Sequence, residues 1–291
     1  MAGTCITGTT KVLAVIGDPV KHSLSPLMHN AALAALGLDY VYLAFPIRGE
    51  NLGTALAGFA AIDLVGFNIT IPHKQAIMPL LQDITPLAQA VGAVNTVWRT
   101  DRGWAGTNTD VLGFLAPLRR LDRPWADLPA VVLGNGGAAR AVVAGLLELG
   151  CPRIQVVGRD GQRLRQFQAS WPEEFRGDRI HTHHWDDLPH LLPTAGLLVN
   201  TTPLGMAPQV DRTPLGPGDL DRLPPTALVY DLIYTPNPTQ LLALAQERGL
   251  GAIDGLEMLV QQGAEALRLW TQAEVPVEIM GQTLRNHLGL A

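Results

Sequence analysis

The chain has 291 residues, 47% apolar and 16% charged, with a formal net charge of −5. A chain of that length buries roughly three-quarters of the surface its extended form exposes, enough for a large core, and two domains are the first expectation. Its 30 glycines and 22 prolines follow no period, which excludes a collagen-like repeat and wholesale disorder.

The negative net charge gives no general attraction to nucleic acid, and Cys5 and Cys151 are too few for a disulfide framework. Apolar runs stop well short of the ~18–20 residues of a spanning helix, so no membrane partner is expected. Near the start, no apolar run has the basic lead and cleavage-like end of a secretory signal. The expectation is a cytoplasmic chain with reduced thiols.

In chain order, residues 12–17 form an apolar run broken by Asp18-Pro19 and read as a strand. Pro26 opens a helix with Ser25 at its N-cap and Leu27, Ala31, Ala34, Ala35 and Leu38 along one side. Residues 40–46 read as a strand, 52–61 as a helix and 64–71 as a strand ending in Pro72-His73-Lys74. Residues 94–99 and 103–106 suit a hairpin. A second unit starts near Asp110, with a helix over 111–120 and strands at 130–133, 153–157, 180–184, 197–200 and 228–230. Those near-continuous apolar strands, separated by helices, predict a parallel sheet covered on both faces. Residues 238–247 and 256–270 read as helices joined by a loop at 251–255. The class is two-domain α/β.

The plainest cofactor signal is Val131-Val132-Leu133-Gly134-Asn135-Gly136-Gly137-Ala138-Ala139-Arg140. A buried strand enters a glycine turn and leaves as a helix, whose first N–H groups can hold a pyrophosphate. The next strand ends in Gly158-Arg159-Asp160, with Arg163 one helical turn on. Arg159 and Arg163 suit the 2′-phosphate of NADP, whereas Asp160 could serve the ribose of NAD instead.

Three of the 21 cationic side chains are lysines, and Lys74 stands just beyond a strand end, where a side chain faces a crevice. There it could protonate an oxygen or simply start a helix. Asp110, in Gly106-Thr107-Asn108-Thr109-Asp110, reads equally as a reacting group or a helix-start carboxylate. Ser23 and Ser25 could grip a carboxylate or cap a helix, and Asn95 suits a ligand or a turn. His181 and His183 alternate on a strand with His184 facing away, and they read as solvent-facing rather than metal-binding. His73 reads as exposed or locally packed.

Taken together, Gly17-Asp18-Pro19-Val20-Lys21-His22-Ser23-Leu24-Ser25-Pro26, Asn68-Ile69-Thr70-Ile71-Pro72-His73-Lys74, Gly92-Ala93-Val94-Asn95-Thr96, Gly106-Thr107-Asn108-Thr109-Asp110 and the glycine turn resemble, in order and spacing, the shikimate dehydrogenase family. So do Asn200-Thr201-Thr202-Pro203-Leu204-Gly205-Met206, Tyr230-Asp231-Leu232-Ile233-Tyr234 and the segment from Asp254 to Gln262.

The resemblance implies an α/β substrate domain at 1–109, completed by a C-terminal helical return at 255–291, and a Rossmann-like NADP-binding domain at 110–254, with the substrate in the cleft between them. It implies NADPH-dependent reduction of 3-dehydroshikimate to shikimate, with Lys74 and Asp110 catalytic. Ser23 and Ser25 would bind the carboxylate, Thr70, Asn95, Asp110 and Gln262 the ring hydroxyls, and Tyr234 the substrate–cofactor boundary. Gly134, Asn135, Gly136, Gly137, Ala138, Arg140, Arg159, Arg163, Thr201 and Gly255 would line the cofactor. No metal is implied, and a homodimer is left open beside a monomer. The family often has Asn where this chain has Gly158, and Thr or Ser where it has Asp160. Alternative readings are an NAD-using quinate/shikimate dehydrogenase, a non-catalytic NADP-binding regulator, or a two-domain dehydrogenase acting on a folate.

Overall fold

The computed structural model describes residues 6–173 and 177–290; Cys5, expected as a reduced thiol, lies outside them. The chain divides into two compact units, Met1–Gly113 with Leu259–Ala291, and Phe114–Met258.

In the first unit, β1 (Lys11–Gly17), α1 (Ser25–Leu36), β2 (Tyr40–Pro46), α2 (Leu52–Ala61), β3 (Gly66–Ile69), β4 (Asp83–Ile84), α3 (Pro86–Val91), β5 (Thr96–Thr100) and β6 (Gly103–Thr107) build a six-stranded sheet in the order β2-β1-β3-β5-β6-β4. β1 runs parallel to β2 and β3; β5 is antiparallel to β3 and β6, giving the expected hairpin. β3 is buried along its whole length because both faces of the sheet are covered. Phe67 meets Trp104 edge-on at 5.2 Å, and Phe59 closes the same cluster. A Cβ at Gly66 would lie 2.1 Å from Trp270 Nε1, so glycine there lets the indole reach over the strand and donate to Val97 O at 2.9 Å.

Ser25 is not the N-cap of α1. Leu24 is, with Ser25 the first helical residue and Pro26 the second. Proline supplies no N–H to satisfy and is preset for helical φ, and the N–H of Ser25 is taken by the Ser23 hydroxyl.

In the second unit, α4 (Asp110–Arg119, which begins in the first unit), β7 (Ala130–Leu133), α5 (Gly137–Glu148), β8 (Ile154–Gly158), α6 (Gly161–Ala169), β9 (Ile180–His184), α7 (Leu188–Leu191), β10 (Leu197–Asn200), α8 (Pro217–Leu220), β11 (Leu228–Asp231), α9 (Gln240–Glu247) and β12 (Gly251–Ile253) precede α10 (Leu256–Thr271). The sheet order is β12-β11-β10-β7-β8-β9, with every pair parallel. That is the doubly wound order, whose carboxyl strand ends carry ligands. Residues 251–253, expected as loop, instead extend the sheet beside β11. Three residues beside two glycines carry too little period for sequence to show a strand. A last helix, α11 (Val277–Leu288), packs on α1 within the first unit.

Candidate active site

In the first unit the polar groups gather around Asn95, which is 1% exposed. Lys74 leaves the loop after β3, and its carbonyl accepts from Val94 N at 2.8 Å, locking that loop to the strand that brings in Asn95. Asp110 is the first residue of α4, where the helix N-terminus favours a carboxylate, and its own N–H donates to Asn108 Oδ1 at 3.0 Å. The Lys74 ammonium donates to Asp110 Oδ2 at 2.5 Å, with side-chain exposures of 16% and 7%. Asn95 Nδ2 donates to the other carboxylate oxygen at 2.9 Å and reaches Gln262 Oε1 at 3.2 Å. Asp110 is thus both readings at once, a helix-start carboxylate and the partner of a lysine. One Lys74 hydrogen is committed, which leaves two for a ligand oxygen.

Thr70 is partly exposed beside the same loop, its methyl against Gly17, where a Cβ would sit 2.4 Å away. Ser23 Oγ accepts from Ser25 N at 3.3 Å, and Ser25 is buried near the Tyr42 hydroxyl. Tyr42 donates to Asn68 Oδ1 at 2.7 Å, and Asn68 Nδ2 reaches Thr96 Oγ1 at 3.0 Å. The structure therefore joins Asn95, Asp110, Lys74 and Gln262 to a network whose other members the sequence reading missed. Tyr42, Asn68, Thr96 and Thr109 are polar side chains inside apolar strands or beside a helix start. A polar residue buried in a strand is the one signal that could have flagged them. His73 is 1% exposed and donates from Nε2 to Ile47 O at 2.6 Å, so it is packing, not solvent-facing.

In the second unit the glycine turn fits a dinucleotide. Gly134 has φ +101°, a conformation that favours glycine, and a Cβ on it would come within 2.7 Å of Thr201 Oγ1. Thr201 in turn donates to Leu133 O at 2.6 Å. Gly136 has nothing within 4 Å of its Cβ position, and no side chain caps α5, so no side chain competes for the first amides of this helix. Asn135 is half-buried beside Gly158. Gly255 owes its identity to its own unit, because a Cβ would lie 2.0 Å from Leu232 O. Tyr234 is partly exposed in the segment leading from β11.

Arg159 and Arg163 are exposed at the end of β8 and the start of α6. Asp160 is the N-cap of α6: its Oδ1 accepts from Gln162 N at 2.9 Å and Arg163 N at 3.1 Å. Those amides hold its carboxyl below the ordinary range. The cap uses Oδ1 alone; Oδ2 stays exposed, 3.7 Å from Arg163 Nε, so Asp160 is a helix cap that keeps a free carboxylate oxygen beside Arg159. Arg140 needs a correction too. It is 4% exposed, with its guanidinium over Phe167 and Trp171 at 5.4 and 5.2 Å and donating to Ser170 Oγ at 2.7 Å. Burial lowers its pKa to about 10. It is a packing arginine and leaves the cofactor set. The three strand histidines are each hydrogen-bonded, His181 to Asp178 O, His183 to Gln155 and His184 to Arg159 O, rather than simply solvent-facing.

Residues 15–97 match the shikimate dehydrogenase substrate binding domain, and 255–285 the shikimate 5′-dehydrogenase C-terminal domain. A protein of Trichormus variabilis named shikimate dehydrogenase (NADP(+)) is 59% identical over 98% of this chain and 99% of its own. Two crystal structures of shikimate dehydrogenases superpose on the chain. One, in complex with NADP+, does so at TM-score 0.90 and 36% identity over 99% of both chains. The other, from Thermus thermophilus with NADP(H) and shikimate, does so at 0.83 and 37% over 95% and 99%. Similarity at this level runs through the lysine loop, the glycine turn and the closing helices alike, and the chain belongs to the shikimate dehydrogenase family.

Proposed function

We propose that Lys74 and Asp110 are the catalytic pair of this chain, and that Ser23, Ser25, Thr70, Asn95, Tyr234 and Gln262 hold the substrate. The reaction is the NADPH-dependent, reversible reduction of 3-dehydroshikimate to shikimate, a step of aromatic amino-acid biosynthesis. The cofactor contacts are Gly134, Asn135, Gly136, Gly137, Ala138, Arg159, Arg163, Thr201 and Gly255. The substrate domain is 1–109 with 255–291, and the NADP-binding domain is 110–254.

The observation that carries this reading is the Lys74–Asp110 contact of 2.5 Å, with Asn95 on the second carboxylate oxygen. When bound, NADPH supplies the hydride to the carbonyl carbon. Negative charge then develops on the substrate oxygen, and the Lys74 ammonium stabilises it and delivers the proton. Asp110 aims the ammonium, and Asn95 fixes Asp110. In the reverse direction neutral Lys74 takes the alcohol proton. Ser23 and Ser25 offer two hydroxyls to the substrate carboxylate, and Gln262 and Thr70 supply donors and acceptors for ring hydroxyls. Alignment and charge balance are the protein's share of the chemistry.

The test is oxidation of shikimate and of quinate, each with NADP+ and with NAD+, on one preparation, followed at the reduced nicotinamide band. Turnover of shikimate with NADP+ above the other three pairs is expected; folded protein with no turnover in either direction would sink the assignment. A cytoplasmic location and either a monomer or a homodimer complete the proposal. The buried free Cys151, its thiol pushed up to about 11 by burial, suits a reducing compartment, and sedimentation over a concentration series reads the assembly.

A further inference from the structure

We propose that His184 is a positioning residue for cofactor selectivity: it clamps the Arg159 peptide so that this arginine is preset for the 2′-phosphate of NADPH. The proposal rests on the assignment of Arg159 given above.

β8 and β9 run parallel, with Gly158 opposite His184 at their carboxyl ends. From there the imidazole reaches across to the next residue and donates from Nε2 to Arg159 O at 3.0 Å. A carbonyl only accepts, so the ring proton sits on Nε2. The residue is held on its other side as well: Nδ1 accepts from Asp186 N at 3.5 Å, and the His184 backbone N–H donates to Asp187 Oδ2 at 3.0 Å.

The residues flanking Arg159 are fixed independently. Gly158 lies in β8 beside Leu164, whose Cδ2 would be 3.0 Å from a Cβ there. Asp160 is tied to the first amides of α6. Arg159 therefore projects an exposed guanidinium from a backbone pinned before, at and after it.

This arrangement has a specific energetic consequence. A guanidinium gains most from a phosphate when its fork is already oriented, because less ordering is lost on binding. NADPH and NADH differ only in the 2′-phosphate. A clamp that works through Arg159 must therefore act on NADPH and leave NADH nearly untouched, whereas a residue that merely supports the fold weakens both.

The experiment measures equilibrium binding to the full chain of NADPH, NADH and adenosine 2′,5′-bisphosphate, the last a probe that carries the phosphate but cannot turn over. Arg159→Ala, His184→Ala and His184→Gln are compared with the parent, and thermal melts check that each is folded. Arg159→Ala is expected to weaken NADPH and the bisphosphate at least tenfold, and NADH less than about twofold. Loss of one hydrogen bond predicts a weakening of about 3–10-fold for the same two ligands in His184→Ala, with NADH unchanged. Glutamine places its amide nitrogen the same number of bonds from the backbone as Nε2, so His184→Gln is expected to recover most of the loss. Unchanged binding in His184→Ala, equal losses for NADPH and NADH, or a loss that glutamine does not recover overturns the clamp while leaving Arg159 in place. Equal losses in Arg159→Ala overturn the assignment of Arg159, and the clamp with it.

Discussion

Lys74 is defined by a carboxylate 36 residues further along the chain, which in turn is held by Asn95. Replacing it by methionine keeps an unbranched stem and removes both the proton and the charge. The expected result is a kcat lower by about 10²–10⁴-fold, with a much smaller change in the shikimate Kd. Single-turnover hydride transfer and independent shikimate binding check this on the same variant. A near-normal transfer rate would defeat the acid–base role, and a purely proportional loss of binding would make Lys74 a binding residue. Asp160 supports a second prediction at this scale. Asn caps helices about as well as Asp, so Asp160→Asn keeps α6 while removing, next to Arg159, a negative charge that repels the 2′-phosphate. The NADPH Kd should fall by about two- to fivefold with NADH unchanged, and the effect should fade as salt rises. Tighter binding of both cofactors would mean that the charge acts elsewhere.

The glycine turn between β7 and α5 separates two kinds of glycine that look alike in sequence. Gly134 is required by the backbone, at φ +101° and with Thr201 Oγ1 2.7 Å from any Cβ. Gly136 is not: it has ordinary φ and open space around its Cβ position. Gly136→Ala should therefore melt within a few degrees of the parent yet bind NADPH and NADH more weakly to the same extent, because its methyl group occupies the approach to the uncapped amides of α5. Gly134→Ala should lose stability as well as binding. Calorimetric melts beside cofactor titrations distinguish the two. Normal cofactor binding in a stable Gly136→Ala would mean that the pyrophosphate lies away from this helix start.

Across the whole molecule, acid acts on the two units with opposite signs. His29 is fully buried in the first unit, stacked on Tyr42 at 4.1 Å, and burial lowers its pKa to about 4. The unfolded chain takes up that proton near pH 6.5. Stability is therefore present above pH 6.5 and is lost as pH falls toward 4, by about 3 kcal/mol in all. Asp231 in the second unit is raised to about 6 by burial, despite accepting from Asn200, Thr239 and Ile233. The native state holds its proton more tightly than the unfolded chain. This contribution is fully present below the unfolded value near 3.8 and is lost as pH rises through 6, again about 3 kcal/mol. Between pH 6.5 and 4 the two nearly cancel in a global measurement. Amide exchange corrected for intrinsic rates should show protection falling in β1 and α1 while it rises in β10 and β11. His29→Gln should abolish the fall in the first unit and leave the second unit as it was. Parallel behaviour of the two units would show that neither group dominates its own.

Period and turn chemistry are local properties, and they were enough for the strands at 180–184 and 197–200, the glycine turn with its helix, and the β5–β6 hairpin. Each of these is decided by neighbours within a few residues: apolar runs, a proline, a glycine pair. Ordered motifs likewise brought Lys74, Asp110 and the glycine turn to notice before any contact was known. What the sequence could not decide is where a polar side chain spends its hydrogen bonds, because that depends on partners distant in the chain. Arg140 sits in the glycine motif yet turns inward to Phe167 and Trp171, and Asp160 follows the arginine proposed for the phosphate yet caps a helix. Burial makes an unpaired polar group costly, so each of these side chains goes to whatever partner the tertiary fold brings within reach, and only the folded chain specifies that partner.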